Sequence, residues 1–326
     1  MIRAALPVAA LLIGLSGCAA SPTLAGGLPA GMPAAIELRD TPFFPQEDYQ
    51  CGPAALATVL QASGVQSAPE ALAPQVYLPG RRGSLQAELI GAARRHNRLA
   101  YRLPETGQAL VAQLHEGRPV LVLQNLGLES MPVWHYAVLI GYDAGRNVAV
   151  LRSGRRERIE MRWQRFAGSW HRAGRWAIVV LEPGVVPRDA DAARYLEAAA
   201  GLESAGQRRA AAQAYDAALA RWPDQPLAWL GRGNVAHAEG ELAAAADAYA
   251  RAVTLAPDNA AARNNLAQAL AGAGCVVESR RQLERAAALA EDTALVTAIE
   301  ETRASIAAAG DVPATECRLA GRSWPE

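Results

Sequence analysis

The pattern of apolar and polar positions changes near the middle of this chain and divides it into two halves. In the first half, amphipathic helical segments precede short apolar, β-branched runs bounded by glycine-containing turns. The pattern predicts helices over 51–62, 85–95 and 107–115, and strands over 120–124, 133–142, 148–152, 159–161 and 176–181. Helices followed by an antiparallel sheet are typical of an α+β domain, which we expect over residues 36–186.

The second half repeats with a period of 34 residues. Gly206, Gly240 and Gly274 have this spacing, and so do Tyr215 and Tyr249. Such a period, with small residues where helices cross and a proline ending each unit, is the tetratricopeptide pattern. One helical hairpin cannot bury its apolar face alone, so about three repeats are expected to stack into an all-α solenoid over 187–310. A helix over 293–309 would cap the stack, and 311–326 would form a tail.

The stretch FPQEDYQCGPAALATVL places Cys51 at the start of a predicted helix. Gly52 and Pro53 follow it, and proline is tolerated in a first helical turn because its missing N–H has no intrahelical partner there. A thiol at a helix N-terminus is expected to favour the thiolate, which is the nucleophile. Gln46, five residues upstream, offers a side-chain amide that can stabilise an oxyanion.

A nucleophilic cysteine needs a base, and His135 is the best candidate among five histidines. It opens the apolar and aromatic run WHYAVLIGY, which predicts a buried strand. Taken alone, His135 is equally well explained as a hydrogen-bonded core histidine. His96, His115 and His237 lie in helical stretches, and His171 lies in the Arg/Gly-rich segment SWHRAGR, which we interpret as a loop.

The motifs QEDYQCGPAALA and HYAVLIGYD, about eighty residues apart, resemble those of the papain-like bacteriocin-processing peptidases of family C39 and their C39-like relatives. The resemblance spans roughly residues 36–183 and implies a papain-like fold. It implies that Cys51 is the nucleophile, His135 the general base and acid, and Gln46 the oxyanion residue. In many members the glutamine stands six residues before the cysteine, whereas here it stands five before.

The third catalytic position departs from that family. Members usually carry Asp-Pro at the end of the strand after the histidine strand, where this chain has Ser153 followed by Gly154. Ser153 is therefore our candidate for the residue that orients the imidazole, although it brings no charge. We interpret Asp143 as a turn residue, because eight extended residues from His135 span roughly 25 Å. The resemblance then implies a Cys–His dyad helped by Ser153 rather than a full triad.

Residues 1–17 have a basic start and a short apolar core, which predicts an export signal that is too short to span a membrane. The sequence LSGC, ending at Cys18, resembles the lipobox of bacterial lipoproteins. The resemblance implies lipidation of Cys18, a flexible tether over 18–35 and, since Ala19 follows, the periplasmic face of the outer membrane in a Gram-negative cell. An ordinary secretory signal that contains a cysteine is the alternative.

Cys275 and Cys317 remain, and an oxidising compartment favours a disulfide between them over two free thiols. No cysteine or histidine spacing suggests a metal site, and no cofactor is expected. The chain has 32 basic and 32 acidic residues, so its charge gives no argument for nucleic-acid binding. Arginines cluster over 146–175. We interpret them mainly as a solvated hairpin face, with attraction of acidic substrate segments or anionic lipid as the alternative.

Together these features predict a membrane-anchored cysteine peptidase of the periplasm. It would hydrolyse a peptide bond of a protein or peptide substrate, and its repeats would recruit that substrate or a protein partner. Two alternatives stay open. One is a non-catalytic scaffold lipoprotein with a degenerate papain-like domain, and the other is a cysteine-dependent amidase or acyltransferase.

Overall fold

The computed structural model describes residues 28, 31–46, 50–308, 317–319 and 321–325. The predicted export signal, Cys18 and most of the predicted tether lie outside the described residues. Within the described part of the chain, no helix is both long and apolar enough to cross a membrane.

A mixed α/β arrangement around an antiparallel sheet forms the N-terminal half. The strands in chain order are β1 Ala35–Glu37, β2 Leu99–Arg102, β3 Val120–Asn125, β4 Trp134–Asp143, β5 Val148–Ser153, β6 Arg156–Arg162 and β7 Ala177–Leu181. Their order across the sheet is β2-β7-β3-β4-β5-β6, and β1 pairs with the far end of β4. Gly141 permits this approach of β1, because a Cβ atom there would lie 2.4 Å from the carbonyl oxygen of Ile36.

Helices cover both faces of the sheet, and in chain order they are α1 Cys51–Ala62, α2 Pro69–Val76, α3 Gln86–Arg95, α4 Gly107–His115 and α5 Trp163–His171. On one face, Leu56 of α1 and Leu89 of α3 belong to the same core cluster as Val138 of β4. On the other face, Leu110 of α4 and Phe166 of α5 share a cluster with the neighbouring β4 residue Leu139. Successive strand residues point to opposite faces, so β4 contributes to both cores.

The C-terminal half is a run of helical hairpins, formed by α6 Ala192–Ser204, α7 Arg208–Arg221, α8 Pro226–Ala238, α9 Leu242–Leu255, α10 Ala260–Gly272 and α11 Val276–Leu289, and followed by α12 Thr293–Ala308. Gly206, Gly240 and Gly274 lie at the turn inside each hairpin, with φ of 74°, 79° and 81°. This left-handed conformation is the usual end of a helix and favours glycine, which explains the period of 34. Cys275 forms a disulfide with Cys317.

The two halves pack directly against each other. The ring of Tyr195 on α6 lies 6.4 Å, centroid to centroid, from the ring of Tyr101 on β2. The Tyr101 hydroxyl accepts a hydrogen bond from the N–H of Asp191 at 3.0 Å. Gly201 lies against the guanidinium of Arg94, since a Cβ atom at Gly201 would be 2.1 Å from that group. One apolar cluster continues from the sheet into α6 and α7, so the repeats are held against the sheet by a shared core.

The α+β domain followed by an all-α tetratricopeptide-like domain is thus confirmed. The helices predicted over 51–62 and 107–115 have the predicted ends, and the other predicted elements of the first half differ by at most three residues at an end. Five elements of the first half were not predicted, namely β1, β2, α2, α5 and the 3₁₀ turn Pro79–Arg81. His171 ends α5 instead of lying in a loop, because Trp163, Phe166 and Trp170 provide a buried face at helical spacing.

Candidate active site

The start of α1 places Cys51 at the mouth of a cleft between the helices and the sheet. Pro53 fills the first turn, where no intrahelical donor is lost, and the N–H of Ala54 donates to the carbonyl of Gln50 at 3.2 Å. Gly52 is required by space, since a Cβ atom there would lie 2.3 Å from the hydroxyl oxygen of Ser84. Among the described residues, Cys51 is the one free cysteine.

Burial controls the ionisation of the Cys51 thiol. Desolvation raises the pKa of the thiol, and the backbone N–H groups of Tyr136, Gly52 and Cys51 itself oppose this rise without overcoming it. The net direction differs from the thiolate expected from the helix N-terminus alone, because the loss of hydration outweighs the donors. At neutral pH the thiol is therefore protonated, and a nucleophilic role for Cys51 would require a base.

His135 lies on β4 beside Tyr136 and pairs in register with Gln124 of β3. Burial lowers the pKa of the His135 imidazole, and desolvation is the only cause of the shift. The imidazole is therefore neutral at neutral pH, as a general base must be. Burial thus favours the neutral form of both His135 and Cys51.

Ser153 occupies the end of β5 and contacts the imidazole. Its hydroxyl oxygen lies 2.7 Å from Nε2 of His135, a hydrogen-bond distance. This contact leaves Nδ1 as the ring nitrogen available to the thiol. A serine hydroxyl either accepts from a protonated Nε2 or donates to an unprotonated one, and only the first case leaves Nδ1 free to accept a proton.

Gln46 is held in place by two hydrogen bonds to Gly154. The N–H of Gln46 donates to the Gly154 carbonyl at 3.0 Å, and the N–H of Gly154 donates to Oε1 of Gln46 at 3.0 Å. This arrangement turns the side-chain nitrogen Nε2 away from Gly154, and within the described residues Nε2 has no hydrogen-bond partner. A buried glutamine with a free amide N–H group fits the role of an oxyanion donor.

Gly154 also explains the departure from the Asp-Pro pattern. Its φ is +62°, a conformation that the proline ring forbids, and its N–H is used to hold Gln46. Proline at this position would remove the donor and change the backbone direction. The Ser153-Gly154 pair and the glutamine five residues before Cys51 are therefore parts of one local arrangement.

Arg152 supports the same segment. It belongs to the arginine cluster over 146–175 that we interpret from the sequence mainly as a solvated hairpin face, and for Arg152 that interpretation is wrong. Its side chain is buried and donates to the carbonyl oxygens of Arg39 at 2.7 Å and Thr41 at 3.0 Å. These bonds tie the chain that leads to Gln46 to the end of β5. In the sequence, Arg152 is the single charged residue inside the apolar strand run NVAVLRSG. Because a buried arginine requires several hydrogen-bond acceptors, this position could have indicated a structural role.

A cavity of about 920 Å³ brings these groups together. Cys51, Gln46 and His135 line it, so three residues from an extended segment, a helix start and a strand meet at one site. Trp134, more than half exposed, forms part of the wall next to His135. A cavity of this size accommodates several residues of an extended peptide or a small ligand.

Other residues considered in the sequence lie elsewhere. Asp143 accepts a hydrogen bond from the N–H of Arg146 at 2.9 Å and is a turn residue at the end of β4. Cys275 and Cys317 belong to the repeat half, and Cys18 lies outside the described residues. Gln124, the neighbour of His135 across β3 and β4, was not put forward as a site residue from the sequence. It donates to the Ser169 hydroxyl at 2.7 Å and is part of the core rather than of the cleft.

Comparison with known proteins agrees with this organisation. Residues 38–178 match the model described as Peptidase_C39 like family, and residues 196–260 match a tetratricopeptide repeat model. None of the curated proteins matches the chain significantly.

Several solved structures are similar to one half of the chain. A C39-like peptidase from Bacillus anthracis has 20% identity and a TM-score of 0.39, and the match covers 45% of this chain and 97% of that one. The first TPR of Spaghetti (RPAP3), bound to the HSP90 peptide SRMEEVD, has 17% identity and a TM-score of 0.32 over 36% of this chain and 93% of that one. The TPR domain of P58(IPK) has 24% identity and a TM-score of 0.34 over 36% of this chain and 33% of that one.

Proposed function

Starting from the match of residues 38–178 to the Peptidase_C39 like family, we propose that this chain is a cysteine peptidase that uses a Cys–His pair. The observation that carries the proposal is the meeting of Cys51, His135 and Gln46 in one cavity, with Ser153 hydrogen-bonded to the imidazole. A nucleophile, a base, an orienting group and an oxyanion donor are the parts that amide hydrolysis by a thiol requires.

The reaction begins from the neutral pair. Nδ1 of His135 takes the proton of the Cys51 thiol as sulfur attacks the carbonyl carbon of the substrate. The C–S bond forms, the carbonyl π-bond electrons move to oxygen, and the resulting oxyanion accepts hydrogen bonds from Nε2 of Gln46 and the N–H of Cys51. Burial opposes both charges of a thiolate–imidazolium pair, so proton transfer is coupled to the attack.

The second half of the reaction releases both products. Protonated His135 gives its proton to the leaving amine, the C–N bond breaks, and an acyl-enzyme remains on Cys51. Water enters the site, loses a proton to His135 and attacks the acyl carbon. The thioester bond breaks, Cys51 regains a proton, and the carboxylic product leaves.

The repeat half would recruit a protein substrate or a partner. The first helices of its hairpins carry a row of side chains linked by hydrogen bonds. Nδ2 of Asn234 donates to Glu203 at 3.1 Å, and Nδ2 of Asn265 donates to the Asn234 amide oxygen at 3.1 Å. Since α6 shares a core with the sheet, a partner bound to the repeats would keep a fixed direction relative to Cys51.

The location of the enzyme forms a separate proposal. The lipobox-like sequence ending at Cys18 supports anchoring by lipid to the periplasmic face of the outer membrane. Metabolic labelling with a fatty-acid analogue should mark the wild-type chain and leave Cys18→Ser unmarked. Labelling of both chains, or of neither, would contradict the anchor.

A non-catalytic scaffold is the second candidate, and two observations favour it. Ser153 stands where the family usually carries aspartate, and burial raises the pKa of the Cys51 thiol. Both reduce the driving force for deprotonation. The same site chemistry would also serve an amidase, and with an acceptor other than water it would serve an acyltransferase.

The deciding experiment measures new peptide ends. A complex mixture of peptides of periplasmic proteins is incubated with the full-length chain, and new N-termini are identified by mass spectrometry. A peptidase produces termini that are absent with Cys51→Ala and reduced at least about a hundredfold with His135→Ala. If the wild-type chain and Cys51→Ala give the same termini, the non-catalytic scaffold replaces the cysteine peptidase as the function that we propose.

A further inference from the structure

Three arginines stand at the mouth of the catalytic cavity. Arg81 and Arg82 come from the 3₁₀ turn Pro79–Arg81 and the residue that follows it, and Arg155 comes from the turn between β5 and β6. All three are exposed and line the same cavity as Cys51. Among the described residues that line this cavity there is no carboxylate, so the described part of the lining carries the positive charge of these three arginines.

The three arginines of the cavity differ in their side-chain partners from other arginines of the segment 146–175. Arg146 and Arg158 both bind Glu160, and Arg172 donates to the carbonyl of Asn125 at 3.0 Å. The solvated-face interpretation therefore holds for Arg146 and Arg158, which are exposed, but not for Arg172, which is partly buried. Arg155 has no ion pair or hydrogen bond through its side chain within the described residues, and the same is true of Arg81 and Arg82.

The backbone around the three arginines is well defined. The N–H of Leu78 donates to the carbonyl of Gly83 at 2.8 Å, which closes the turn that carries Arg81 and Arg82. Arg155 follows Gly154, whose two hydrogen bonds to Gln46 fix the other turn. The charges are thus set beside the site by hydrogen-bonded turns rather than by long mobile loops.

The lining of the cavity also contains apolar side chains. Leu85 and Trp134 line the cavity and are exposed to solvent. This lining fits a peptide that brings an apolar side chain.

We infer that the cleft selects an acidic peptide segment, with aspartate or glutamate on one or both sides of an apolar residue near the scissile bond. The inference rests on the proposed function and names the substrate class of that site. Carboxylates of the peptide would pair with Arg81, Arg82 and Arg155, and guanidinium groups are well suited to bind carboxylates in two-point fashion. Attraction between exposed charges weakens with salt, so selection should be strongest at low ionic strength.

The test compares two active-site reagents that differ only in charge, acetyl-Glu-Leu-Glu and acetyl-Gln-Leu-Gln chloromethyl ketone. Alkylation of Cys51 in the full chain is followed by intact mass. We expect the acidic reagent to react at least about tenfold faster in low salt, with the ratio falling toward one at high salt. The triple variant Arg81→Gln/Arg82→Gln/Arg155→Gln should bring the ratio close to one.

Arg165→Gln is the matched control, because Arg165 is an exposed arginine of α5 outside the cavity. It removes the same kind of charge and should leave the ratio unchanged. Equal rates for the two reagents with the wild-type chain would overturn the inference, and so would a preference that the triple variant retains. Loss of binding to phosphatidylglycerol vesicles in the triple variant, with equal rates for both reagents, would assign the arginines to a membrane surface instead.

The failure of the proposed peptidase can be distinguished from the failure of this inference. If neither reagent alkylates Cys51, the proposal that the chain is a cysteine peptidase fails. Whether the cleft prefers acidic peptides is then decided by equilibrium binding of the fluorescein-labelled peptides Glu-Leu-Glu and Gln-Leu-Gln to Cys51→Ala. A preference for the acidic peptide that is lost in the triple variant then supports the inference. Equal binding of the two peptides overturns it.

Discussion

The hydroxyl oxygen of Ser153 lies 2.7 Å from Nε2 of His135, at the place where related peptidases usually carry a carboxylate. A carboxylate only accepts hydrogen bonds, so it fixes the proton on Nε2 and leaves Nδ1 free to act as a base. A serine hydroxyl also donates, which permits the opposite tautomer. Under the proposed mechanism, the fraction of molecules in which Nδ1 can take the proton of Cys51 therefore depends on the orientation of one hydroxyl group.

Replacement of Ser153 by aspartate should therefore make His135 a better base for the Cys51 thiol. We expect Ser153→Asp to raise the pKa of His135 and to accelerate alkylation of Cys51 by a peptidyl chloromethyl ketone by about tenfold. Ser153→Ala should slow the reaction severalfold, because the imidazole loses its orienting contact. Histidine titration by NMR reports the pKa, and alkylation kinetics report the rate.

The control for this prediction is His135→Ala in the Ser153→Asp background, which should remove the gain. A folded Ser153→Asp protein that raises the pKa of His135 yet reacts no faster than wild type would show that orientation of the imidazole does not limit the reaction. An unchanged His135 pKa would show that the aspartate does not contact the ring.

The pKa shifts of Cys51 and His135 predict how alkylation and peptide cleavage depend on pH. Burial raises the pKa of the Cys51 thiol above the ordinary value of about 8.5, so alkylation by the simple reagent iodoacetamide should rise through the alkaline range without a plateau near neutrality. Burial lowers the pKa of His135 below about 6.5, so neutral imidazole persists and the acid limb of peptide cleavage should lie below pH 6.5. An iodoacetamide rate that is high and flat between about pH 5 and 7 would indicate a stable thiolate–imidazolium pair and contradict this reading.

Much of this arrangement was accessible from the sequence because the signals are local or repeat along the chain. The CGP start and the left-handed Gly64, with φ of +85°, define α1, and the period of 34 defines the repeats. The ionisation state of Cys51 was not accessible, because it depends on how completely β4 and the helices exclude water from the thiol. The two bonds between Gln46 and Gly154 join residues 108 positions apart, and such tertiary contacts leave no pattern in one sequence.

Proline at position 154 should impair the site even though it recreates half of the usual family pattern. Gly154→Pro removes the N–H that donates to Gln46 and excludes the φ of +62°. We expect the variant to be destabilised by more than about 1 kcal/mol and to lose most alkylation of Cys51 by peptidyl chloromethyl ketones. Gly154→Ala keeps the donor and should show a smaller loss of both stability and reactivity.

Denaturant unfolding measures the stability of both Gly154 variants, and alkylation kinetics measure their sites. Gln46→Ala is the companion variant, since it removes the proposed oxyanion donor and the Oε1 acceptor of the Gly154 N–H, yet keeps Gly154 and the backbone bond from the Gln46 N–H to the Gly154 carbonyl. If Gly154→Pro retains wild-type reactivity, the Gln46–Gly154 contact is not needed to position the oxyanion donor.

The bond between Cys275 and Cys317 should stabilise the last repeat. The two residues are 42 positions apart, and closing a loop of this length restricts the unfolded chain by about 4 kcal/mol in the entropy model. The bond also holds Leu319 in the cluster that contains Cys275, beside the hydrogen bond from Arg318 N–H to the Ala273 carbonyl at 3.0 Å. We expect Cys275→Ala/Cys317→Ala to lower the free energy of unfolding by about 2–4 kcal/mol, measured by guanidinium unfolding with far-ultraviolet circular dichroism.

Reduction with dithiothreitol should produce the same loss of stability in the wild-type chain and no change in the double variant. A wild-type chain that keeps its full stability after both thiols are shown to be free would contradict a stabilising role for this bond.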